Sequence, residues 1–147
     1  MAVLADISDA VVATLNGHTF GMSFTAVRSY RPVYTREEMK DLHVTVVPGG
    51  YAMENLGRGQ VQEDYTVEIA VQQAPETTSN AALDPLVGLV EEIRDFFLAN
   101  RRLAAMPSVI CLKAAFAAGS DRGYAPEHLD QLQQFTSVLA LTFRVMR

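Results

Sequence analysis

Three histidines and one cysteine are the residues of this chain best suited to metal or acid–base chemistry, and their spacing decides what they could do. His18, His43, His128 and Cys111 lie far apart and show none of the short spacings that bring zinc ligands together. His43 alternates with Leu42 and Val44, which places it on the polar face of a strand. Nucleophilic catalysis needs a serine or thiol beside a base. Ser23 sits in "GMSFT", without the small flanking residues of a nucleophile elbow. Cys111 lies between Ile110 and Leu112, the setting of a buried structural thiol. Pro48-Gly49-Gly50 has no following helix, and neither it nor Gly57-Arg58-Gly59 resembles a Walker loop, so both read as turns. Glu91 and Glu92 are adjacent on a helix and diverge by about 100 degrees, which suits a solvated face better than an acid–base pair. Five tyrosines and seven phenylalanines form no evident platform for stacking single-stranded bases. The expectation is a protein without catalytic, metal-binding or cofactor-binding residues. The competing reading is a set such as His43, Glu68 and His128 converging in space to bind or transform a small molecule.

Bulk properties narrow the setting. The chain has 147 residues, which favours one α+β domain over 1–147. Its apolar fraction of 49% is too high for disorder. A formal charge of −5 argues against a generally basic surface that grips nucleic acid. A single cysteine allows no internal disulfide. The first basic residue is Arg28, unlike a secretion signal, and no apolar run approaches membrane-spanning length. The expectation is a soluble protein of a reducing compartment, with no membrane partner. Ten arginines against two lysines fit either an interface or a genome rich in G and C.

The elements that must position these residues follow from periodicity. Leu4, Ile7, Val11, Val12 and Leu15 recur at helical spacing, with Asn16-Gly17 as a stop suited to a left-handed cap. Phe20 to Tyr34 is β-branched and aromatic enough to predict a strand, ended or edged by Pro32. Thr35 to Asp41 predicts a turn or one helical turn. Leu42 to Val47 predicts a strand stopped by Pro48-Gly49-Gly50, followed by a mixed loop from Tyr51 to Gly59. "QEDYTVEIAVQQ", Gln62 to Gln73, is the clearest strand, with Tyr65, Val67, Ile69 and Val71 on one face and Asp64, Thr66, Glu68 and Ala70 on the other. The two strands would pair as an antiparallel hairpin with a long connection. Asp84 as cap and Pro85 at the first position predict a helix to Asn100, with Leu86, Leu89, Val90, Ile93, Phe96 and Phe97 in one stripe. Pro107 to Ala118 and Phe135 to Val145 predict the last two strands, joined by a loop over 119–134.

That order predicts a mainly antiparallel sheet of four to five strands, with two helices packed on one face. The opposite face would carry Thr66, Glu68, Thr136, Thr142 and Arg144, too polar for a second core. Candidate subunit or partner contacts are Glu68 and Arg144 on that face, with Tyr51, Met53, Leu56 and Arg58 on one loop and Tyr124 and Leu129 on the other.

The opening "LADISDAVVATLNG", the strands "LHVTVVPGG" and "GQVQEDYTVEIAVQQ", the acidic helix "LDPLVGLVEEIRDFFLANRRL" and the closing "FTSVLALTFRV" together resemble the tail terminator (tail completion, minor tail or neck) proteins of long-tailed bacteriophages. The resemblance spans most of the chain and is a pattern without a signature motif. It implies a structural virion protein assembled in the host cytoplasm. The implied form is a ring, commonly of six copies, at the head-proximal end of the tail tube. Its implied partners are sibling copies, the tail tube protein and the head–tail connector or neck protein, with DNA passing through the hole. The family offers no catalytic residues to carry over. Small head–tail joining proteins share these proportions and are the alternative.

Overall fold

The computed structural model describes residues 3–31, 34–35, 37–75, 79–103, 106–116 and 134–146. In chain order these form α1 (Val3–Asn16), β1 (Ala26–Arg28), a short 3₁₀ turn (Glu38–Lys40), β2 (His43–Gly57), β3 (Gln60–Gln73), α2 (Asn80–Ala99), β4 (Arg102–Leu103), β5 (Met106–Phe116) and β6 (Phe135–Met146). The strands make one six-stranded sheet in the order β1-β2-β3-β6-β5-β4. Only β1 and β2 run parallel; all other neighbours are antiparallel. The α+β reading holds, with a sheet larger and more mixed than expected. The addition is β4, only two residues long, and the mixed character comes from β1, which pairs parallel to β2.

β3 sets the geometry. Its alternation puts Tyr65, Val67, Ile69 and Val71 inward, opposite Phe143, Leu141, Leu139 and Ser137 of β6. Ile7, Val11 and Leu15 of α1 and Leu86, Leu89, Val90, Ile93 and Phe97 of α2 close over them in one shared core. Each fully buried side chain of this size contributes about 1.5–3 kcal/mol relative to exposure.

Several expected boundaries move. β1 is only three residues of the fifteen predicted as a strand, and Pro32 and Val33 lie outside the described residues. Asn16 explains why β1 starts where it does. Its side chain accepts from the Ala26 N–H (2.8 Å) and donates to the Ala26 carbonyl (3.1 Å), as a neighbouring strand would. Gly17 does not take the left-handed conformation expected of it; its N–H closes on the Ala13 carbonyl at 3.0 Å. α2 starts at Asn80, five residues before Pro85. Proline lacks only the bond to the Ala81 carbonyl, and its exposed position near the helix start lets solvent replace it.

The largest departure is at Pro48-Gly49-Gly50. These residues do not stop β2, which continues to Gly57; the run from Tyr51 to Gly57 is strand, not loop. A bulge between Pro48 and Gly50 absorbs the irregularity. Val46 lends its carbonyl outward to Ser29 N–H (3.0 Å), so Val46 and Ile69 form a non-hydrogen-bonded pair. Pro48, paired with Val67 two residues on, therefore points its nitrogen away from β3 and costs the ladder nothing. Instead of a long connection, the hairpin closes in two residues, Arg58-Gly59, with Gly59 at φ +73°.

Gly49 is required by close approach. A Cβ there would lie 2.8 Å from the Thr66 carbonyl oxygen, whereas at Gly50 it would meet nothing within 4 Å. Gly49→Ala is expected to destabilise the fold by about 1–3 kcal/mol, while Gly50→Ala stays within about 1 kcal/mol. Thermal and urea unfolding of the two variants check this contrast.

Candidate functional site

The β2–β3 hairpin outruns its neighbour on one side. β1 accompanies β2 only from Val44 to Val46. Beyond Pro48, β2 has no outer neighbour among the described residues. This free length forms an arm with Arg58 in the turn at its tip. Tyr51 and Met53 on the arm are 75% and 71% exposed. Tyr51 stands 5.9 Å, ring to ring, from buried Tyr65, whose hydroxyl donates to the Glu63 carboxylate. An aromatic ring and a thioether exposed on a strand are what a protein partner grips.

The sheet face away from the helices is the second feature. Asp64, Thr66 and Glu68 of β3 stand opposite Arg144, Thr142 and Ala140 of β6. Arg144 clamps Asp64 with two parallel bonds, Nε to Oδ1 at 2.8 Å and Nη2 to Oδ2 at 3.0 Å. Those bonds, with the guanidinium charge behind them, hold the Asp64 carboxyl below its ordinary range. Lys113, Thr66 and Thr142 join the pair around an open depression of about 650 Å³.

The other end of the same face is dry. The connection from β1 to β2 crosses it, because parallel neighbours cannot be joined by a tight turn. Tyr34 stacks on His43 at 3.8 Å and hydrogen-bonds Thr45. Met39 is buried and its carbonyl accepts from Ala74 N–H. Beneath them Thr45 is fully buried and Ala70 nearly so. Thr35 and Glu38 fix the crossing by exchanging bonds, Thr35 N–H to Glu38 (3.0 Å) and Glu38 N–H to Thr35 (3.2 Å). The Thr35 N–H bond to the carboxylate, followed by the Thr35 hydroxyl beside it, lowers the Glu38 pKa. Threonine followed three residues later by glutamate is a capping-box spacing, a signal present in the sequence that the turn assignment did not use.

Several of the residues weighed for chemistry make structural contacts. His43 Nε2 contacts the Glu38 carbonyl at 2.6 Å, and His18 packs between Phe20 and Phe96. Glu92 accepts the Gly21 N–H at 2.7 Å, tying the α1–β1 connection to α2. Cys111 is fully buried, and burial pushes its thiol up to about 11. Among the described residues, no three histidine, cysteine or acidic side chains are grouped to hold a metal ion. No helix among them is long and apolar enough to cross a membrane.

Of the candidate contacts, Tyr51, Met53, Leu56 and Arg58 share the arm, although they were placed on a loop. Glu68 and Arg144 share the polar face. Tyr124, Leu129 and His128 lie outside the described residues. Asp64 as partner of Arg144 was missed, although both fall on the polar face by simple alternation.

No protein-family model and no curated protein matches the chain. Among solved structures, it is similar to the PVC sheath/tube terminator of an extracellular contractile injection system in the extended state. The identity is 11% and the TM-score 0.48, and the match covers all of this chain and 57% of that one.

Two outcomes follow. Asp64 titrates below its usual 3.8 when folded, so the pair's stabilisation is complete above that value and is lost as pH falls through the lowered one. Arg144→Gln is expected to cost about 0.5–1 kcal/mol at neutral pH, a difference that disappears in acid unfolding titrations. Cys111 in the folded protein is expected to resist iodoacetamide at pH 8 and to react once urea unfolds the chain, as mass spectrometry would read.

Proposed function

We propose that this chain is a ring-forming terminator subunit that caps the head-proximal end of a tail tube and joins it to the head connector. The observation that carries this reading is the exposed arm, with Tyr51 and Met53 largely open to solvent on a strand edge. Such a surface favours contact with protein over turnover of a small molecule. The sequence resemblance to tail terminators points the same way. A head-to-tail ring needs two different patches on each copy. The arm supplies one, and the polar face with the β4–β5 edge supplies another. Six copies would multiply a formal charge of −5 around the hole, and a lining of that sign would not retain the phosphates of passing DNA. The tube protein and the connector are the proposed neighbours on the two faces of the ring.

Electron microscopy of particles lacking this protein tests the assignment. Overlong tails are expected of a missing terminator. Finished tails without heads would assign the chain to head–tail joining instead. Purified protein that stays monomeric at high concentration and ignores tube ends would overturn both.

A further inference from the structure

Hydrogen-bond parity along the sheet shows which backbone groups face its two open edges. β3 pairs with β6 without a register shift. Val46–Ile69 is a non-hydrogen-bonded pair, so Ile69, Val67 and Tyr65 direct their N–H and C=O groups toward β6. Tyr51, Met53 and Asn55, opposite Tyr65, Glu63 and Val61, must then direct theirs outward. No described residue bonds them there. The same parity runs across β6. Cys111, opposite Phe143, points its N–H outward to the Arg101 carbonyl at 2.7 Å, as required. Past the bulge at Leu112, Ala114 and Phe116 lie opposite Leu141 and Leu139 and also face outward. β4 reaches only as far as Ile110, and Arg101 caps the Cys111 and Leu112 carbonyls.

The edges are complementary in charge and direction. The hairpin from Tyr51 to Glu63 carries Glu54, Glu63 and Arg58, a formal net −1 in sequence. The segment from Arg101 to Phe116 holds Arg101, Arg102 and Lys113 and no carboxylate. β2 and β5 run in opposite directions, because each step from β2 through β3 and β6 to β5 is antiparallel. Copies related by rotation about an axis along the strands therefore bring the two edges together antiparallel.

We propose that the outward edge of β2 at Tyr51–Asn55 pairs, backbone to backbone, with the edge of β5 at Ala114–Phe116 in the next copy. One continuous sheet then links the subunits head to tail. This rests on the ring reading and specifies its interface. Unguarded edges invite such pairing, and main-chain bonds supply its strength. Tyr51 and Met53 become covered as the sheets join.

Proline separates this interface from the ring itself. At Met53 or Ala114 it removes an outward N–H while leaving the internal ladder intact. In sedimentation of the full chain, Met53→Pro and Ala114→Pro are each expected to weaken association at least about tenfold, with Met53→Ala, which keeps the N–H, much less affected. Mixing the two proline variants should restore one good interface and give a heterodimer that goes no further. Circular dichroism checks that each is folded. In the wild type, amide exchange at Tyr51, Met53, Asn55, Ala114 and Phe116 should slow on assembly, a readout that needs no variant. Wild-type rings with unprotected amides, or rings formed undiminished by folded Met53→Pro, would overturn the edge pairing and leave the ring reading standing. A wild type that never associates would overturn both.

Discussion

The unbroken pairing of β3 on both flanks is the constraint on which the rest of the structure depends. From Gln62 to Gln72 it has β2 on one side and β6 on the other, with no slip in the β6 register. A one-residue slip would turn every side chain of the strand to the wrong face. Tyr65, Val67, Ile69 and Val71 would then meet the β1–β2 connection, and Asp64 and Glu68 would be driven into the core. Holding that register lets one strand serve a dry helical layer and a hydrated polar layer at once. It also transmits parity outward, so the direction of every main-chain group in β2 and β5 is inherited from it.

The polar face is divided by the chain's own path. Near His43 and Thr45 it is sealed by Tyr34 and Met39. Near Asp64 and Arg144 it stays half-exposed, and those two charges satisfy each other. A buried, unpaired Arg144 would be far more costly than the modest gain of a partly hydrated pair. The bidentate clamp also fixes two side chains one strand in from the free edge of β2, so that edge lies beside an ordered pair.

Much of this was legible in the sequence, and the failures share a cause. β3, β6 and α1 carry clean periods, so Tyr65, Phe143 and Ile7 announced their faces. Thr66, Glu68, Thr142 and Arg144 were assigned to the polar side by alternation alone. Pro48, Gly49 and Gly50 misled because their types signal a turn, while in β2 the proline nitrogen faces an open edge and Gly49 fits under the Thr66 carbonyl. Pro85 misled in the same way: an exposed second turn tolerates it. β1 was overextended because aromatic residues such as Phe20 and Phe24 serve a ring cluster instead of a ladder. Tyr51 and Met53 were read as exposed contact residues, but on a loop; that they stand on a strand edge follows from the short reach of β1, which leaves them uncovered.

That short reach has a consequence of its own. The chain enters over one layer as α1, rounds the margin as β1, and returns beneath the other layer past Tyr34 and Met39. The first third of the polypeptide thus acts as a clasp over the base of β2. It ends as a ladder at Ser29, whose N–H takes the Val46 carbonyl. A strand pairing along the bare remainder would meet that end of the ladder, which would limit how far it could advance.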